Sequence, residues 1–211
     1  MFGPRVALLT LFAAVATSAA AQTMPDQAAA PAAAPAPEAL PATAPAPPPA
    51  PTPPTPPTGD AAQVISVLDQ FCVPAIGGTP AAKLASGLGM RKNRDDDFVL
   101  NLTGPKRITV TAPNPSNPTV CTLTVLYDID GDKPIYDALN NWALAHANPY
   151  VQARAREASQ VEGESHITST WSAVESDGAE GLVFIQARTT DGKPLTSRTD
   201  RATILFSIRP N

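Results

Sequence analysis

The chain has 211 residues, 25 of them proline; 43% are hydrophobic and 16% charged, and the formal net charge is -4 at pH 7. Such mild acidity gives no electrostatic reason to seek nucleic acid or anionic lipid, which recruit clustered Lys and Arg. No apolar run reaches the roughly 20 residues that a bilayer crossing takes, so no transmembrane segment is expected in the mature chain.

Met1 to Ala21 reads as a secretory signal. Arg5 supplies the positive n-region, Val6 to Ala16 the short apolar run, and Ala19, Ala20 and Ala21 the small residues that a signal peptidase accepts. An uncleaved signal serving as an amino-terminal anchor is the competing reading. Residues 22–59 then form a linker: from Gln22 to Thr58, 26 of 37 residues are Pro or Ala, and only Asp26 and Glu38 carry charge. This composition buries too little apolar surface to offset chain entropy and is expected to stay disordered. Nine prolines between Pro45 and Pro57 favour polyproline II, so the tract acts as a spacer. Pro53 to Pro57 also resembles a proline-motif ligand.

The folded candidate is residues 60–211, long enough for one domain. Asp60 is placed to cap a helix carrying Val64, Val67, Leu68 and Phe71 on one face, ended by Pro74 with Gly77 and Gly78. Thr79, with Pro80 at the first position, opens a second short helix holding Leu84 and Leu88. Phe98 to Thr103, Arg107 to Ala112 and Val120 to Tyr127 are β-branched and apolar and read as strands; connections this short make them antiparallel. Pro134 opens a helix with Ile135, Leu139, Trp142, Ala143 and His146 at helical spacing, broken at Asn148 and Pro149. The good helix formers from Gln152 to Ala158 extend that expectation through Tyr150 to Ser159. His166 to Glu175, Leu182 to Thr190 and Arg201 to Arg209 are the remaining strands, with Asp191 and Gly192 in a hairpin loop between the last two. The expected fold is α+β: an antiparallel sheet of about six strands with two or three helices packed on one face.

Cys72 and Cys121 are the only cysteines, both in exported sequence, where a disulfide is the default. A redox or nucleophilic cysteine is disfavoured because neither lies in a Cys-X-X-Cys pair. Asp128, Asp130 and Asp132 present oxygen ligands at alternate positions and invite a calcium reading. Lys133 and Leu139 stand where an EF-hand loop needs glycine and glutamate, so the plainer expectation is a turn in which Asp132 caps the next helix. Asp95, Asp96 and Asp97 read as a solvated loop of mixed sign with Arg91, Lys92 and Arg94. His146 and His166 lack a partner at metal-ligand spacing. Ser165 beside His166 lacks the Gly-X-Ser-X-Gly elbow, since Ile167 holds its last position. Trp142 and Trp171 read as core rather than as a ligand groove. Gly87 and Gly89 lack the third glycine or the Gly-Lys-Ser/Thr ending of a phosphate loop, and no cofactor is expected.

The layout of signal, Pro/Ala tract, helix ending at Phe71 and Cys72, following helix, strands around Cys121 and helix from Ile135 to Trp142 resembles uncharacterised secreted domains of alphaproteobacteria. The resemblance covers the first half of the folded region and implies a periplasmic or cell-surface setting, in agreement with a Cys72 to Cys121 pair. Two function classes follow. The first is a non-catalytic binding or structural module of the bacterial envelope, held out by its spacer and offered to an envelope protein or glycan. The second is a secreted hydrolase with carboxylates drawn from Asp95 to Asp97, Asp128 to Asp132 and Glu162 to Glu164, with His166, assembled only in space.

Overall fold

The structure is a computed structural model that describes residues 55–145, 150–175 and 178–210; the signal, the linker up to residue 54, His146 and the Asn148 and Pro149 break lie outside them. Three helical bodies cover one sheet. The first runs as α1 (Gly59–Val67), a π turn (Leu68–Cys72) and α2 (Val73–Ile76); then come α3 (Ala81–Gly87) and α4 (Asp132–Leu144). Eight strands, β1 (Arg91–Lys92), β2 (Phe98–Asn101), β3 (Arg107–Thr111), β4 (Val120–Tyr127), β5 (Val151–Val161), β6 (Glu164–Glu175), β7 (Gly178–Thr189) and β8 (Asp200–Pro210), form one sheet in the order β1-β2-β3-β4-β8-β7-β6-β5. Every neighbouring pair is antiparallel.

The mixed α+β class and the antiparallel sheet agree with expectation, while the strand count is eight rather than six. β1 is only two residues long. β5 replaces the helix expected from Tyr150 to Ser159: the helix formers Gln152 to Ala158 lie on the sheet edge, paired to β6 from Val151↔Ser172 to Val161↔Glu164. Pairing with an adjacent long strand overrides weak intrinsic propensity. All three proposed caps differ: Pro80, not Thr79, stands at the N-cap of α3, which begins at Ala81. Asp60 lies inside the first turn of α1, after Thr58, and Asp132 is the first residue of α4, after Gly131, with no side-chain cap bond at either end.

Sequence explains the π turn. Pro74 has no N–H and its ring crowds the preceding turn, so the helix widens just before it. The widened turn keeps Leu68, Phe71 and Cys72 all buried. Cys72 is bonded to Cys121 on β4, with Cα atoms 5.4 Å apart and 49 positions between them.

The core fills the space between helices and sheet. Odd residues of β4 (Cys121, Leu123, Val125, Tyr127) and even residues of β8 (Ala202, Ile204, Phe206) and β7 (Leu182, Phe184, Gln186) are buried under the helices. Trp142 meets Phe206 edge-on at 5.9 Å, and Tyr136 lies between Trp171 and Phe184. Both tryptophans are core, and their indole N–H groups donate to Asp69 and Asn140, as buried indoles require.

Candidate functional site

The acidic turn after β4 lies at one end of the sheet, and its three carboxylates separate. Asp128 accepts from Lys106 at 2.8 Å, and the same ammonium holds Asp60 at 2.8 Å. These two bonds raise the Lys106 amine above its ordinary range. Asp130 receives Arg188 at 2.5 Å, and Asp132 receives Arg156 at 2.8 Å. Each carboxylate is thus committed to a different cation. Among the described residues no group of three or more His, Cys, Asp or Glu is placed to hold a metal ion.

Behind this turn lies a buried polar group. Asp200 begins β8 fully buried, opposite Tyr127, and accepts at Oδ2 from Arg188 Nη2 at 2.5 Å and from the Asp130 N–H at 3.0 Å. Its Oδ1, the Tyr127 hydroxyl and Arg188 Nε are buried and meet no hydrogen-bond partner among the described residues. Burial pushes the Tyr127 phenol far above its ordinary value, and the nearby charges of Asp200 and Asp132 add to the shift. The Arg188 guanidinium, bonded to Asp130 and Asp200, is held more strongly protonated than usual. The group ties the turn after β4 to the β7–β8 hairpin across 58 and 70 positions of sequence. It is a clamp, and its buried atoms are closed to any substrate.

Arg156 makes a second tie. It sits at positive φ (54°) where β5 shifts register, its N–H donates to Ser169, and its guanidinium lies 5.7 Å from the Tyr136 ring centre while bonding Asp132. The irregularity in β5 turns this one side chain inward to α4. A hollow of about 280 Å³ lined by Asp132, Lys133, Tyr136, Asp137 and Arg156 opens beside it.

The other candidate acids do not converge on this place. Asp97 is bonded to Thr111 and Asp128 to Lys106, at opposite ends of β3. The Asp95 and Asp97 N–H groups both donate to the Asn93 side chain, and Lys92 pairs with Asp96. Glu164 is at the Asp128 end of the sheet but on its other face, where it takes Arg201 at 2.6 Å and His166 Nε2 at 3.3 Å. The His166 hydrogen bond, helped by Arg201, holds the Glu164 carboxyl below its ordinary range. Ser165 pairs across to Arg188 and His166 to Ala187, so the two point to opposite faces and form no nucleophile and base pair.

Among the described residues no helix lies on the second face of the sheet. Thr109, Thr124, Thr203, Ile185 and Thr168 lie side by side in one row from β3 to β6, and Thr111, Thr122, Leu205, Val183 and Thr170 in the next. None is charged, and all are half-buried except exposed Thr111. Charges stand around them: Arg107, Arg201 and Glu164 at one end, Arg209 at the other. The described aromatic side chains belong to the helix side and its core. Thr55, Pro56 and Pro57, the first described residues, line a hollow of about 390 Å³ with Pro134, Asp137 and Asn141 of α4. They therefore lie on the helix side, and the open face looks the other way.

Comparisons with protein-family models, curated proteins and solved structures found no match. No helix among the described residues is long and apolar enough to cross a membrane. No catalytic motif in the sequence marks the open face. Its signal is the alternation in Val120 to Tyr127, where Val120, Thr122, Thr124 and Leu126 alternate with buried Cys121, Leu123, Val125 and Tyr127.

Proposed function

We propose that this chain is an exported, non-catalytic module of the bacterial envelope that binds a protein through the open sheet face, with the Pro/Ala linker as its spacer from the helix side. The signal at Met1 to Ala21 supports export, and the Cys72–Cys121 bond is compatible with it. One observation carries the reading: the two central rows of the open face are uncharged and flanked by charge at both ends, the arrangement of an interaction patch with a charge-depleted centre. Of the two partner classes, protein is favoured over glycan because no described residue of this face offers an aromatic ring for a sugar to stack on. A photo-reactive residue at Thr203 should yield protein adducts in envelope extracts, whereas one at Lys133 on α4 should not. Equal labelling from both positions would refute the assignment of the face.

The hydrolase reading has the His166 to Glu164 contact in its favour. Arg201 competes for the same carboxylate, which weakens Glu164 as an orienting base. Turnover of a chromogenic ester, amide or glycoside by the wild-type chain, lost in His166→Gln, would establish that reading instead.

A further inference from the structure

We propose that the occupant of the open face is a second copy of this chain, packed sheet to sheet about a two-fold axis; this rests on the face being the binding surface. Three features of the patch favour self-association. A two-fold interface must be complementary to itself, and threonine meets that condition because its hydroxyl both donates and accepts while its methyl packs against any apolar neighbour. Rows that alternate Thr124 and Thr203 with Ile185, and Thr122 and Thr170 with Leu205 and Val183, can satisfy a copy of themselves without any charge inversion. The uncharged centre also removes the usual obstacle to such packing, since a like charge at the axis would face its own twin. The third feature is extent. With strands about 4.8 Å apart and about 3.4 Å per residue, the two uncharged rows across β3, β4, β8, β7 and β6 cover roughly 330 Å², and the two rows flanking them, one of which carries Arg107 and Arg201, bring the face to roughly 650 Å². That matches the lower end of stable interfaces, about 600 Å² per partner. Two such sheets would lie about 10 Å apart with strands crossed by about 30°.

Sedimentation equilibrium of the full chain across the micromolar range should give twice the monomer mass. Leu205→Lys, which puts an ammonium at the patch centre, should weaken dimerisation at least about 100-fold while leaving the circular dichroism spectrum unchanged. Thr203→Cys provides a readout that does not depend on how the sheet tolerates a lysine: mild oxidation should trap a covalent dimer, and Lys133→Cys on α4 should not. A monomer at every concentration, or a dimer untouched by Leu205→Lys and not trapped through Thr203→Cys, overturns the proposal. Protein adducts other than the chain itself from Thr203 in a monomeric sample would overturn self-pairing alone and leave the face as the binding surface; absence of both would remove the face as well.

Discussion

On β8, Phe206 packs edge-on against Trp142 under the helices, while its neighbour Leu205 lies on the uncovered face between Thr122 and Val183. The same alternation runs through β4 and β7, so one set of strands supplies both a packed interior and a displayed surface. Burial on the helix side therefore sets most of the stability these strands contribute, and the open face contributes less.

The sharpest way to break this comparison is to truncate both neighbours. Phe206→Ala should cost about 3–5 kcal/mol in urea unfolding through cavity formation, whereas Leu205→Ala, measured at concentrations that keep the chain monomeric, should cost under about 1 kcal/mol. Similar losses would mean that the second face is covered after all. Next in size is the bridge on the helix side: replacing Cys72 and Cys121 together by serine should lose about 2–4 kcal/mol, visible as a lower melting temperature. Arg156→Ala removes the cation from Asp132 and from the Tyr136 ring; it should cost about 1 kcal/mol and raise hydrogen exchange in β5 before β8. Tyr127→Phe deletes a buried hydroxyl that meets no partner among the described residues and should be neutral or stabilising by up to about 1 kcal/mol. A clear loss would reveal a hydrogen bond there.

The smallest effect belongs to the open face and is set by pH. Glu164 ionises more readily in the fold than its ordinary value of 4.5. Its contribution is therefore complete above that value and is lost as pH falls through the lower folded one. Glu164→Gln should flatten the acid limb of a stability profile and leave neutral pH nearly unchanged. An unaltered acid limb would show that the pairs with His166 and Arg201 do not persist in solution.

Much of this architecture was legible because β-branched runs such as Val120 to Tyr127 and Ala202 to Ile208 state their period openly. The cysteine pair was legible for a different reason, since a chain with two cysteines leaves one intramolecular pairing. Gln152 to Ala158 misled because its residues favour helix locally, and only the neighbouring strand fixes it as an edge. The acidic turn misled through its own regularity. Asp128, Asp130 and Asp132 look like a ligand set until Lys106, Arg188 and Arg156 arrive from elsewhere in the chain to take them apart. Contacts between residues so far apart carry no local pattern to read.

The place of β8 has a consequence for how the molecule is made. Although it follows the other seven strands in the chain, it lies between β4 and β7 and acts as the keystone of the sheet. Until residues 200–210 are made, the facing edges of β4 and β7 lack the strand that lies between them, and the sheet closes only when β8 takes that place. Loss of that short stretch would split the sheet into halves poised to pair with strangers.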